Sequence, residues 1–353
     1  MRSHARLLTA LFLVALACVR VVPAHAAASD RVALRFDPSE AEAVLGLAEA
    51  QRAGRTVTED DWRRLFSSRP YVRLAQREAA MHRSFTDDDF RRFVLSAPLL
   101  ARADSLRRAL DAWARNDLVA SANRVLAYLP DSARIRADVY PVIKPVTNSF
   151  VFEPSTDAAI FLYLDPTETA AQFENTVAHE LHHIGFSSIS AVQEARFKGL
   201  VPRVRRAVDW MGAFGEGFAM LAAAGGPDVH PHATSPPAER ARWDRDMTHF
   251  DRDLRSLDRF FLDVLDGRLA TDDAIQARAF TFFGIQGPWY TVGYRMAVVV
   301  ERRYGRAALI ECMVDPRLLL ARYNAAAGES NRAGGERRAL WAPRLLARIG
   351  APP

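Results

Sequence analysis

Cysteine is almost missing from this 353-residue chain: it occurs only as Cys18 and Cys312. Cys18 falls in an N-terminal stretch that the sequence marks for removal, so no intramolecular disulfide is expected in the mature chain. Lysine is as scarce, since Lys144 and Lys198 are the only lysines among 47 basic residues. The formal charge of +5 shrinks when Arg2, Arg6 and Arg20 are set aside, leaving 44 bases interleaved with 42 acids. That balance offers no nucleic-acid face. With 18 glycines the chain is not collagen-like, and at 49% hydrophobic residues it is not disordered as a whole. Long apolar runs are also lacking. Leu7–Val19 has 13 residues, short of the ~20 a spanning helix needs, and Met296–Glu301 is briefer still.

That first run has a meaning of its own. Arg2 and Arg6 precede it, and Ala24-His25-Ala26 follows as a small-x-small cleavage site. Residues 1–26 therefore read as a signal peptide, with export to the periplasm or the medium. Lipid anchoring at Cys18 fits less well, because Ala15 stands where that motif wants leucine.

At ~150 residues per domain the length allows two domains or one large one. Residues 27–130 read as a helical region, from Asp37 onward. Ser39 and Glu42 are placed for a capping box ahead of Ala41, Val44, Leu45 and Ala48. A local echo follows: Thr58–Phe66 and Thr86–Val94 each set a threonine cap, acids, and then Trp62 or Phe90 on the buried face. Two copies make a pair of similar helices, too few for a solenoid. Between Arg134 and Asp165 the period changes. Ile135, Ala137 and Val139 alternate with polar residues, and Phe150–Phe152 and Ala158–Leu164 are apolar runs punctuated by prolines. Three strands of a small antiparallel sheet are expected. Helices then return, broken by a loop from Gly225 to Pro237, with another loop over Ala325–Gly335. The expected fold is mainly helical α+β, with a core over residues 131–325 and a loosely held tail over 326–353.

His179-Glu180-Leu181-His182-His183 contains H-E-x-x-H. On a helix, His179 and His183 lie one turn apart and can hold one metal from the same face, with Glu180 beside them to take a proton from water. The helix context agrees. Phe173, Val177, Leu181 and Ile184 form an apolar stripe, and Gln172, Thr176, His179 and His183 lie opposite. Asp165, Pro166 and Glu168 suggest where this helix starts. His182 reads as an outer-shell or surface group.

A catalytic zinc takes three protein ligands and leaves one position open. Ile189 occupies the position where a metzincin has its third histidine, which excludes that arrangement. Glu194 and Glu216 are the candidates. Glu216 is favoured, because Gly215 and Gly217 flank it and permit close approach, while Phe218, Met220 and Leu221 can pack beneath.

The run Val177–Gly185, the preceding strand Ala158–Leu164 and Gly215-Glu-Gly-Phe-Ala219 resemble the gluzincin metallopeptidases. They look most like bacterial families described as zinc-dependent peptidases. The similarity continues through Tyr290–Ala297, Glu301, Gly305 and Asp315-Pro316 to Tyr323-Asn324. It implies a zincin-like core, one zinc per chain held by His179, His183 and Glu216, and Glu180 as general base. It also implies that the strand before the metal helix borders the substrate cleft. In the region of resemblance, Tyr290 and Tyr294 are the candidates for donating a hydrogen bond to the developing oxyanion. An exposed edge at Ile160–Tyr163 could take an extended peptide by strand addition. The expected function is an exported zinc peptidase. A zinc-binding protein without hydrolytic activity and a hydrolase of non-peptide amides are the rival readings. The other histidines rate lower: His230 and His232 sit in the proline-rich loop, and His249 lies in an Arg/Asp-laced helix. The sequence leaves oligomeric state and natural substrate open.

Overall fold

The computed structural model describes residues 30–351, so the signal-peptide reading and Cys18 lie outside the described residues. The chain opens on β1 (Val32–Phe36), a strand that the sequence reading missed. Six helices follow: α1 (Ser39–Arg52), α2 (Glu59–Phe66), α3 (Arg69–Ala80), α4 (Asp87–Val94), α5 (Ala97–Trp113) and α6 (Leu118–Leu126). The two echoed segments are α2 and α4. In each the threonine accepts from the backbone N–H three residues on, Asp61 to Thr58 at 3.3 Å and Asp89 to Thr86 at 3.1 Å. Arg91 of the second copy pairs with Glu59 of the first. At α1 the expected Ser39–Glu42 box does not form. Instead, Asp37 reaches forward to accept the Ser39 N–H at 3.1 Å.

The sheet consists of β1, β2 (Ile135–Val142), β3 (Phe150–Phe152) and β4 (Ala159–Tyr163), in the order β1-β2-β4-β3. It is mixed, not antiparallel. β1 and β4 both run parallel to β2, and only β3 and β4 are antiparallel. The connections explain this. All six N-terminal helices separate β1 from β2, enough chain for a crossover, whereas β3 returns into β4 through the short turn after Glu153. Val139, Ile160 and Leu162 face the main core, while Tyr140, Val142 and Phe161 pack with Leu74 of α3 on the other face.

Helices make up the rest: α7 (Ala170–Ser187), α8 (Ser190–Phe197), α9 (Pro202–Met211), a 3-10 turn (Gly212–Phe214), α10 (Gly215–Ala224), α11 (Pro237–Met247), α12 (Phe250–Asp266), α13 (Asp272–Phe280), α14 (Pro288–Tyr304), α15 (Arg306–Val314), α16 (Pro316–Arg332) and α17 (Pro343–Ile349). The loop expected over Ala325–Gly335 is mostly the end of α16, which runs on to Arg332. Nor is the tail loose, because Trp341, Leu345 and Ile349 are buried in the main core. Asn324 holds the Trp341 backbone from both sides, accepting its N–H and donating to its carbonyl at 2.9 Å. No helix among the described residues is long and apolar enough to cross a membrane.

Candidate metal centre

α7 is built as an amphipathic helix. Phe173, Val177, Leu181 and Ile184 are buried, and the Phe173 ring lies 4.4 Å from that of Trp113, centroid to centroid. Its start lies four residues past the expected cap. Thr169 and Gln172 form a reciprocal capping box, with Thr169 N–H donating to Gln172 at 2.7 Å and Gln172 N–H to Thr169 at 3.3 Å. Asp165 instead closes the turn before the helix, accepting the Thr167 N–H at 2.8 Å.

The face opposite the apolar stripe presents His179 and His183, with their Nε2 atoms 3.1 Å apart. Glu216, in the first turn of α10, meets both. Its Oε2 lies 3.3 Å from His179 Nε2 and 3.2 Å from His183 Nε2. Among the described residues these three form the one His/Cys/Asp/Glu group with metal-ligand spacing. Two donors ~2.0–2.1 Å from a tetrahedral zinc stand about 3.3 Å apart, so all three separations match the edges of one zinc tetrahedron. Glu216 Oε2 is also buried and makes no hydrogen bond of good geometry, which leaves it free as a ligand atom. The donor set fits zinc.

Electrostatics point the same way. Burial would lower the His183 imidazole, yet the charge of the neighbouring Glu216 carboxylate raises it to about 9. Burial would raise Glu216, but the two imidazoles hold it well below the usual carboxylate range. The cluster favours a positive charge at its centre, and a proton or a divalent cation meets that need.

The remaining candidates divide. Tyr290, in the first turn of α14, lies with its ring nearly parallel to that of His179, the centroids 6.3 Å apart. Burial and the neighbouring Glu216 carboxylate push its hydroxyl well above the usual phenol range, so it stays protonated and able to donate. Tyr294, one turn on, meets the loop instead, where its hydroxyl donates to the Val229 carbonyl at 3.4 Å and its ring abuts Trp243. Glu194 is exposed and held by Arg205, away from the cluster. His182 is fully buried beside Phe186, which excludes a surface role. Burial and the two neighbouring imidazoles hold it well below the usual imidazole range, so it packs as a neutral ring. His230 and His232 bind their own loop and its neighbours: His230 Nε2 lies 2.9 Å from Asp244 Oδ1, and His232 Nδ1 lies 2.8 Å from Ser235 Oγ.

The strand expectation is overturned in one respect. β4 is bonded by β2 along one side and by β3 over Ala159–Phe161 on the other, and Ser149 Oγ accepts the Tyr163 N–H at 3.1 Å, so Ile160–Tyr163 is not the free edge expected. The edges of the sheet are β1 and β3, and β3 is the edge that packs beside α7. A three-residue run gives no sequence signal for that placement. Glu168, read in the sequence only as a capping residue, does not cap α7. Burial pushes its carboxyl up to about 7, and it accepts a hydrogen bond from Thr176, one turn before His179.

Fold and site together define a mainly helical α+β chain carrying an H-E-x-x-H helix and a distant glutamate that completes a triad able to hold a metal ion. A family model described as "Putative zinc dependent peptidase (DUF5700)" matches residues 62–332, and the chain belongs to that family. Searches of curated proteins and of solved structures find no match.

Proposed function

We propose that this chain is an exported zinc-dependent peptidase. The observation that carries the reading is the convergence of His179, His183 and Glu216 at tetrahedral spacing, beside a glutamate and a tyrosine that are not needed as ligands. Zinc held by these three would supply Lewis-acid polarisation and a water acidic enough to lose its proton near neutral pH. Glu180, adjacent to His179 and close enough for its charge to act on both His183 and Tyr290, takes that proton and returns it to the leaving amine. Tyr290 donates from its hydroxyl to the carbonyl oxygen as negative charge develops there. Tyr294 packs beneath the loop and has no part in the chemistry. The free edge of β3 aligns an extended peptide along the cleft. Export rests on residues 1–26.

The test is cleavage of a mixed peptide library by the protein as purified, after chelation, and after zinc is restored. Activity lost on chelation and regained with zinc supports the reading. Full activity without metal contradicts it. Stoichiometric zinc with no cleavage of any peptide or amide would favour the zinc-binding reading.

A further inference from the structure

Beside the start of α10, where Gly215 and Phe218 line it, lies a cavity of about 170 Å³. None of its lining residues belongs to the His179–His183–Glu216 cluster, although Phe186 follows His183 by three residues and Gly215 precedes Glu216. Its inner wall is apolar, formed by Phe186, Met211, Phe218, Met313 and Leu319, with the buried thiol of Cys312. Its outer rim is polar: Arg205 stands there between Glu194 and Asp209, which are both partly exposed.

A separate observation shows the space to be open. Gly212 lines the cavity, and a Cβ built on it meets no atom within 4 Å. Its backbone is right-handed helical, with φ −56°, so the conformation does not call for glycine. Glycine in a helical turn costs ~1 kcal/mol relative to alanine. A glycine required by neither backbone nor neighbours leaves the cavity clear.

We propose that this cavity is a second ligand site, for a small neutral apolar molecule of about aromatic-ring size. The volume is close to the ~150 Å³ of an engineered cavity that takes up benzene, and with the apolar inner wall it suits a ligand of that size, entering from the solvent side past the polar rim. The rim excludes anions. Two carboxylates stand there against one guanidinium, and both already engage it.

The test uses the zinc-loaded protein with ¹³C-labelled methionine methyl groups, titrated with toluene and, separately, with benzoate. Toluene is expected to shift the Met211 and Met313 methyl signals saturably while leaving those of Met81 and Met247 in place. Benzoate should bind at least tenfold more weakly. In Gly212→Leu, whose circular dichroism and zinc content report whether it has folded, the toluene shifts should be lost. Should that variant not fold, the methyl assignments in the unmodified protein still decide the matter. Shifts that fail to saturate or spread over all methionines would overturn the proposal. So would benzoate binding as tightly as toluene, or toluene shifts that persist in folded Gly212→Leu.

Discussion

Gly217 and Gly293 face each other where α10, which carries Glu216, crosses α14, which carries Tyr290. A Cβ on Gly293 would stand 3.3 Å from the Gly217 Cα, and one on Gly217 only 2.0 Å from the Tyr294 backbone nitrogen. The clashing atoms are backbone, so no side chain can turn aside to make room. This crossing sets how far Glu216 and Tyr290 stand from the histidines of α7. Gly217→Ala should force the helices apart and destabilise the fold by about 1–3 kcal/mol, as overpacking does. Zinc affinity should fall with it. Urea unfolding and a zinc titration check both, and a variant unchanged in each would show that the crossing does not position the site.

The two third-ligand candidates separate cleanly. Glu216→Gln replaces a carboxylate that touches both imidazoles, whereas Glu194→Gln alters an exposed partner of Arg205. The first should weaken zinc binding beyond the ~10–100-fold typical of losing an outer partner, and the second should leave it close to the unmodified value. A competitive chelator titration gives the ranking. The reverse order would move the ligand to Glu194.

The tyrosines form a matched pair four residues apart on one helix. Tyr290→Phe should lower kcat on the order of 10²-fold with zinc content unchanged, the scale of losing one oxyanion donor. Tyr294→Phe removes a hydroxyl bonded to Val229 and should leave kcat near the unmodified value. Equal losses in the two variants would remove Tyr290 from the mechanism.

Glu40, on α1 and outside the metal-ligand cluster, makes stability depend on pH. It is fully buried, and burial pushes its carboxyl up to about 8, against the ordinary value of 4.5. Oε2 accepts the Ile143 N–H at 3.0 Å, while Oε1 has no partner. The folded chain keeps this proton where the unfolded chain loses it. Its contribution is therefore complete below pH ~4.5 and is lost as pH rises toward 8, by a few kcal/mol at most. Glu40→Gln keeps the acceptor without the titration. Its urea midpoint should exceed that of the unmodified protein at pH 8 and approach it at pH 5. Equal differences at the two pH values would contradict the assignment.

The metal helix was readable in the sequence because three signals coincide there: the H-E-x-x-H spacing, the apolar stripe through Leu181, and histidines on the opposite face. Glu216 was readable through Gly215 and Gly217, although the two glycines approach different helices. Gly217 makes room for α14, while Gly215 faces the metal helix, where a Cβ on it would stand 3.8 Å from the Phe186 ring. Other features depend on contacts between distant segments. β1 is five residues of VALRF whose pairing partner lies about a hundred residues on. Parallel pairing follows from chain connection and leaves no mark in local alternation. The Asp165-Pro166 turn resembles a helix start because an aspartate caps turns as readily as helices. The C-terminal segment reads as a loosely held tail, yet Trp341 anchors it, one aromatic among arginines.

The proposed chemistry turns on Glu180. In the proposed mechanism its carboxylate, adjacent to His179, reaches water at the bound metal without being a ligand. Glu180→Gln keeps size and hydrogen bonding but removes the base. The decisive measurement is hydrolysis of a peptide that the unmodified protein cleaves, made alongside zinc content and thermal unfolding. Zinc and unfolding should match the unmodified protein while hydrolysis falls at least ~100-fold, the usual contribution of a positioned acid–base group. A Glu180→Gln protein that retains both its zinc and full activity would contradict the mechanism.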